Sequence, residues 1–139
     1  MLRHGTVGPV LALVGWTIVM FGWMYATRVP AMRRAKVDLG ELGRTGAKLA
    51  LPPEVARVAD NYNHLHEQPT IFYALALAAH AVAPGDDIAA GLAWAYVASR
   101  IVHSFVQATV NVILVRFTLF VLGTATLLAL LVRVVSLLG

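Results

Sequence analysis

The chain has 139 residues, of which 59% are hydrophobic and 13% charged, with a formal net charge of +4 and no cysteine. In soluble domains about a quarter of the residues are charged, so this composition excludes a water-soluble globule and indicates an integral membrane protein. The length leaves room for a single domain over residues 1–139, built from about four spans of roughly 20 residues. Without cysteine, any thiol chemistry must use the thiol of a ligand.

The positive net charge does not indicate a nucleic-acid partner. The basic residues cluster beside hydrophobic segments, where such residues fix topology or meet anionic lipid. They are not interleaved with aromatic residues as a nucleic-acid groove requires. We therefore expect membrane lipids, and no nucleic acid, among the partners.

The first span is predicted over residues 7–27, an apolar stretch long enough to cross the hydrocarbon as a helix. A secretory signal peptide is the competing interpretation, because Leu2, Arg3 and His4 provide a basic start. The apolar stretch is too long for a signal peptide, and basic residues follow it directly. A membrane span is the favoured interpretation.

The segment after this span is polar and basic. Residues 28–57 contain seven Lys or Arg against three Asp or Glu. Short loops with such an excess of cations face the cytoplasm. With four spans, both termini then lie on the non-cytoplasmic side.

Three more spans complete the predicted fold, over residues 54–83, 88–107 and 116–134. Span two begins with polar residues at the cytoplasmic side, and Pro69 is expected to kink it. An acidic turn at residues 84–87 leads to span three. Short connections between apolar helices predict an all-α, up-and-down four-helix bundle.

Two polar stripes run along the second and third spans. On a helix, residues three or four apart share a face. The first stripe comprises Arg57, Asp60, His64, Glu67 and Ile71, and the second comprises Arg100, His103, Gln107 and Asn111. Near the cytoplasmic interface, Arg28, Arg100, His103 and Arg116 would gather around Glu67. This pattern predicts a site for an anion that also carries an amine.

Structural explanations of the same residues stay open on residue types alone. Arg28 is typical of an anchor that snorkels to the interface, and Arg100 would pair with Glu67 to join two helices. A metal site is disfavoured, because His64 and His66 point to different sides of a helix. Motifs of hydrolases, nucleotide triphosphatases and Rossmann enzymes do not occur in a fitting context.

Three motifs resemble the membrane-associated proteins in eicosanoid and glutathione metabolism, the MAPEG family. RVADNYNHLHEQPTIF, residues 57–72, is similar to the family signature of an Arg followed by Asn-x-x-Glu-Asn and a Phe. Arg-x-x-His-x-x-x-Gln, residues 100–107, is similar to the Arg-x-x-His-x-x-x-Tyr of the prostaglandin synthase branch. Arg-x-x-x-Phe, residues 116–120, is similar to Arg-x-x-x-Tyr. The resemblance covers residues 28–120.

The resemblance implies a homotrimer, of bacterial type and located in the inner membrane, with glutathione between protomers near the cytoplasmic face. Glu67 would bind the amino group of glutathione. The other cofactor-binding residues implied by the family motifs are Arg28, Arg57, His64, Arg100, His103 and Gln107. Arg116 would lie by the thiol as the catalytic residue, because a nearby cation favours the thiolate. The implied activity is a glutathione-dependent transferase or peroxidase-like reaction on hydrophobic electrophiles.

The sequence departs from the family pattern at three of these positions. Gln107 and Phe120 replace tyrosines, and His64 replaces an asparagine. Two alternatives stay open. Because the hydroxyl groups are lost, the first is a non-catalytic membrane protein of the same fold. The second is a small transporter in which the Arg, His and Glu residues relay protons. The transporter has less support, because inverted repeats are not evident.

Overall fold

A computed structural model describes residues 5–139, and these residues form helices and no β-strand. The all-helical class predicted from the sequence is confirmed, whereas six helices are found where four were expected. They are α1 (Val7–Arg34), α2 (Leu39–Thr45), α3 (Pro53–His64), α4 (Gln68–Val82), α5 (Asp87–Ala108) and α6 (Ile113–Ser136). Leu2, Arg3 and His4, which support the signal-peptide alternative, lie outside the described residues.

Helix α1 is longer than the predicted span. It does not end at residue 27 but continues through Arg28 and Pro30 to Arg34. Its 28 residues measure about 42 Å at 1.5 Å per residue, which exceeds the roughly 30 Å of a bilayer's hydrocarbon core. In a helix of this length and composition, which is sufficient to cross a hydrocarbon core, the last turn with its basic residues is not needed for the crossing.

The predicted second span is broken, not kinked. Helix α3 ends at His64 and α4 begins at Gln68, with Glu67 in a non-helical conformation between them. Pro69 has no N–H to donate to the carbonyl of Leu65, and its ring would collide with that carbonyl in a continuous helix. At the start of α4 the missing N–H costs nothing. The face expected from Arg57 to Ile71 is therefore interrupted.

Contacts between helix ends define an antiparallel arrangement. At one end of the bundle Arg57 Nη1 donates to the carbonyl of Thr109 (2.7 Å), and Asn61 Nδ2 donates to Ser104 Oγ (2.6 Å). Helix α3 thus lies beside the end of α5, next to the start of α6. We call this the polar end. At the opposite end, the turn end, α5 begins and α6 finishes.

The turn end is closely packed. Gly5 adopts the left-handed conformation (φ +53°), and a Cβ there would lie 2.2 Å from the carbonyl oxygen of Pro84. Only glycine accommodates both this conformation and this approach. The start of α1 is held further by Thr6, whose hydroxyl donates to the carbonyl of Ala76 (2.5 Å).

The core between the ends consists of apolar and aromatic side chains from five of the helices, all except α2. Phe72 of α4 stacks on Tyr96 of α5 with ring centroids 4.6 Å apart. Gly123 allows α6 to approach α5, because a Cβ there would lie 3.2 Å from Ser99 Oγ. Outside this core, α1 and α6 are long and apolar enough to cross a membrane. The outer surface of α6 exposes large apolar side chains such as Ile113 (76%).

Candidate functional site

A cavity of about 270 Å³ opens at the polar end, between α3, the break that follows it, and the connection from α5 to α6. We call it the polar cavity. Its walls are almost entirely charged or amide side chains. They are Arg57, Asp60, Asn63, His64, Glu67, Gln107, Asn111 and Arg116. The volume is slightly below the roughly 300 Å³ at which small-molecule sites begin, so one protomer supplies only a compact site.

A second cavity, of about 350 Å³, is mostly apolar and is called the apolar cavity below. Its apolar wall is formed by three residues of α6, Ile113, Phe117 and Phe120. His103 contributes a polar side chain to the lining. The two cavities share two lining residues, His64 and Arg116. A charged space and a hydrophobic space therefore meet at one imidazole and one guanidinium.

The side chain of Arg116, in the first turn of α6, is oriented by Asn111. Arg116 Nη1 donates to Asn111 Oδ1 at 2.6 Å. Asn111 does not continue the polar stripe of α5 as predicted, because α5 ends at Ala108 and Asn111 lies in the following loop. It is left-handed (φ +54°), a conformation that asparagine tolerates, and its N–H donates to the carbonyl of Val106 (2.7 Å). Among residues 5–139, Arg116 Nε has no hydrogen-bond partner.

His103 is held between two oxygen atoms. Its Nδ1 lies 3.0 Å from the carbonyl oxygen of Arg116, and its Nε2 lies 3.3 Å from Gln107 Oε1. A carbonyl oxygen only accepts, so Nδ1 carries a proton. Two states satisfy both contacts. In the first, the ring is neutral and the amide nitrogen of Gln107 donates to Nε2. In the second, the ring is an imidazolium and Nε2 donates to Gln107 Oε1. Gln107 thus supports His103 from one helical turn further along α5.

Two further arginines retain unused donors in the part of the chain that the structure describes. Arg57 donates through Nη1 to Thr109, but its buried Nε has no partner. Arg100 is 2% exposed, and its Nε and Nη1 have no partner. A buried guanidinium with unmade hydrogen bonds is costly unless an anion or water completes it.

Glu67 lines the polar cavity together with Arg57 and Arg116, but its carboxylate is paired with the neighbouring His64. His64 Nδ1 and Glu67 Oε2 are 2.8 Å apart, across the break between α3 and α4. The carboxylate is nevertheless 64% exposed, so one side of it remains open to a ligand. The alternative in which Arg100 and Glu67 form a structural ion pair is not found in residues 5–139.

The structure brings six of the eight predicted site residues to the two cavities. Arg57, His64, Glu67, Gln107 and Arg116 line the polar cavity, and His103 lines the apolar one. The remaining two, Arg28 and Arg100, are not among the lining residues. Arg100 is buried in α5, and Arg28 is half-buried on α1.

Two asparagines that line the polar cavity, Asn63 and Asn111, were not among the predicted site residues. Asn63 lies three residues after Asp60, a helical spacing that was available in the sequence. Asn111 was counted in the polar stripe of span three, although it follows the predicted end of that span, where a left-handed asparagine is common. Its contact with Arg116 depends on the loop conformation, which the spacing of residues does not reveal.

The model of the MAPEG family matches residues 6–136, nearly the whole chain. No curated protein and no solved structure matches the sequence significantly. The assignment to a family therefore rests on the family model, and it agrees with the resemblance seen in the three motifs.

Proposed function

Because this chain belongs to the MAPEG family, whose members are integral membrane proteins, we propose that it is a membrane-bound, glutathione-dependent transferase or peroxidase-like enzyme acting on hydrophobic electrophiles. One observation carries the proposal. Arg116 and His64 line both the polar and the apolar cavity. A polar thiol and a lipophilic substrate bound in the two spaces would meet at these side chains.

The side chains of the polar cavity fit glutathione, which has two carboxylates, one ammonium and a neutral thiol. Arg57 and Arg116 place guanidinium groups in the lining of the cavity, where they face the carboxylates. Glu67 offers the exposed side of a carboxylate to an ammonium. Guanidinium and carboxylate groups form the strongest hydrogen bonds available to such a zwitterion. Asn63 and Gln107 supply amides that match its peptide groups.

Glutathione, when bound, supplies a thiolate nucleophile for attack on the electrophile. The role of Arg116 is to lower the thiol pKa by placing a positive charge beside the sulfur. Asn111 fixes the direction of that guanidinium. The role of the apolar cavity is to exclude water and orient the hydrophobic substrate, because Ile113, Phe117 and Phe120 offer no hydrogen-bonding side chain.

A homotrimer accounts for the residues that one protomer leaves out of the site. Arg28 carries the family's carboxylate-binding role but lines neither cavity of its own protomer. A site between protomers would let Arg28 reach the cavity of a neighbouring copy and would enlarge the compact polar cavity. Crosslinking of purified protein in mild detergent measures the subunit number, and a monomer would contradict this part of the proposal.

Helices α1 and α6 cross the membrane in this proposal, and the polar end faces the cytoplasm. The cations that follow α1 favour that orientation. The chain has no cysteine, so single cysteines introduced into either end report orientation through labelling by an impermeant reagent. Labelling of the segment after α1 from the non-cytoplasmic side would contradict it.

Ligand binding and turnover are tested separately on the purified protein. We expect glutathione, and also S-methylglutathione, to raise the thermal unfolding temperature. We expect glutathione alone to support conjugation of an aromatic chloro-dinitro electrophile. No stabilisation at millimolar glutathione would contradict the proposed function.

The second candidate is a non-catalytic membrane protein of the same fold. The pairing of Glu67 with His64 at 2.8 Å favours it, because it occupies part of the carboxylate assigned to the ligand. The tyrosine hydroxyls absent at Gln107 and Phe120 favour it too. Stabilisation by glutathione without conjugation of any hydrophobic electrophile would support this candidate over the enzyme.

A further inference from the structure

The segment between α1 and α3 carries an exposed basic surface that has no role in the cavities. Its cationic members are all exposed and none forms an ion pair with the described residues. They are Arg33, Arg34, Lys36, Arg44 and Lys48. Against these five cations the same stretch, residues 33–48, contains only Asp38 and Glu41. We call this stretch the basic strap.

Helix α2 lies within the basic strap and is well formed although it buries nothing. Asp38 caps its start by accepting from the N–H groups of Gly40 and Glu41 (2.8 and 3.0 Å). Gly46 closes its end in the left-handed conformation (φ +65°). None of its seven residues is buried, and Leu39 is 63% exposed. A helix this short is marginal in water, so caps alone do not account for it.

The length of α1 places the basic strap at the membrane surface. Its roughly 42 Å match the 40–45 Å of a bilayer with its headgroups, so Arg33 and Arg34 come to the headgroup layer when the helix spans. The chain then turns at Lys36, which is left-handed (φ +49°). This turn lets α2 follow along the surface rather than continue away from it.

We propose that the basic strap is a docking surface for anionic lipid headgroups, with α2 lying in the membrane interface and Leu39 inserted below the headgroups. Charge complementarity selects the occupant, because five unpaired cations beside a spanning helix meet the negative potential of an anionic leaflet. In the membrane interface Leu39, which is 63% exposed at the start of α2, gains burial that the protein itself does not provide. This proposal does not depend on the glutathione site.

A single cysteine at Leu39 tests the proposal, since the chain has no other. The Leu39→Cys protein carries an environment-sensitive fluorophore and is placed in nanodiscs of phosphatidylcholine, with or without phosphatidylglycerol. We expect a blue shift with phosphatidylglycerol that disappears in high salt, where charges are screened within a few ångströms. Inorganic phosphate added to phosphatidylcholine discs should leave the emission unchanged.

Two controls separate docking from general effects of the lipid. A label at Gly85→Cys, in the exposed acidic turn of the opposite end, should show no response to phosphatidylglycerol. In the Leu39-labelled protein, Arg44→Glu with Lys48→Glu should abolish the shift, whereas the charge-preserving exchange of Arg44→Lys with Lys48→Arg should retain it. Equal emission from both kinds of disc, or a full shift in the charge-reversed variant with unaltered thermal unfolding, would overturn the proposal.

Discussion

The two ends of the bundle use arginine in opposite ways. At the turn end, Arg133 forms a bidentate pair, in which its Nε and Nη2 donate to the two oxygens of Asp86 at 3.2 and 2.6 Å. Asp86 also caps α5 by accepting from the N–H of Ala89 (2.7 Å). At the polar end, Arg57, Arg100 and Arg116 each keep at least one buried N–H without a partner among residues 5–139.

This difference separates an arginine that is paired with a carboxylate from arginines whose buried N–H groups lack acceptors among residues 5–139. A bidentate pair with a carboxylate satisfies a guanidinium and joins α6 to the start of α5. Buried N–H groups left without acceptors cost free energy that a bound anion would recover. The division follows from hydrogen bonding alone, and all three incompletely bonded arginines are residues for which the family motifs imply a role in the site.

The largest effect is expected for Arg116→Ala. Loss of a charge-assisted hydrogen bond costs about 1.5–3 kcal/mol, so we expect roughly 10- to 100-fold weaker glutathione binding and loss of the thiolate absorbance. Thermal unfolding without ligand should change little. Arg133→Ala is the matched control and should show the reverse, with lower thermal stability and unchanged glutathione affinity. Equal effects of both variants on glutathione affinity would contradict the claim that only the polar end binds the ligand.

At the turn end, two substitutions of Asp86 separate its contacts. Asp86→Asn keeps an oxygen that can cap α5 but loses the charge facing Arg133. Asp86→Ala loses both, and an alanine is a poor helix cap. We expect the unfolding temperature to fall in the order wild type, Asn, Ala. Identical unfolding temperatures for the wild type and the alanine variant would show that the pair does not stabilise the bundle.

The same pair predicts a response to acid. The hydrogen bonds from Arg133, and then the N–H of Ala89, hold the pKa of Asp86 below its ordinary value. The pair therefore stabilises the fold fully above the ordinary carboxyl pKa of about 3.9, and this stabilisation is lost as pH falls through the lowered pKa. Arg133→Ala should lose less stability than the wild type on acidification below about pH 4. Parallel curves of unfolding temperature against pH would contradict this assignment.

An intermediate effect is expected at Asn111, which positions Arg116 without being assigned to the thiol. Asn111→Gly keeps the left-handed backbone but removes the acceptor, whereas Asn111→Asp keeps the acceptor. We expect the glycine variant to raise the pH at which bound glutathione ionises and the aspartate variant to retain glutathione binding. A glycine variant with the wild-type pH profile would show that Arg116 needs no positioning by this side chain.

The smallest effect is expected for Phe120→Tyr. The added hydroxyl supplies a hydrogen-bond donor in the apolar cavity, and the ring has 42% exposure in which to place it. Glutathione affinity should stay within a few-fold, while the rate with electrophiles that carry a carbonyl or nitro group should rise. A large gain in glutathione affinity would instead place this residue in the polar cavity.

The sequence predicted the helical class, and its motifs supplied six of the residues that line the cavities, because charged and amide side chains at helical spacing stand out in an apolar chain. It did not reveal the break after His64. A proline within a helical pattern produces either a kink or an interruption, and the packing around it decides which. The local pairing of His64 with Glu67 depends on that break.

The unused donors of Arg57, Arg100 and Arg116 were equally invisible in the sequence, because residue spacing does not show which hydrogen bonds are made. Arg133 is the converse case, because residue spacing did not show a hydrogen bond that is made. It lies near the end of the predicted span over residues 116–134, and nothing in its spacing indicated Asp86, 47 residues earlier, as its partner. Only the three-dimensional packing separates these two groups of arginines.

The most direct test of the central claim is an ultraviolet titration of the purified protein with glutathione, following thiolate absorbance at neutral pH. We expect a saturable thiolate signal in the wild type and in Arg133→Ala, and none in Arg116→Ala, because only the polar-end guanidinium would lie beside the sulfur. The absence of a thiolate signal from the wild type at millimolar glutathione, or an undiminished signal from Arg116→Ala, would contradict the account.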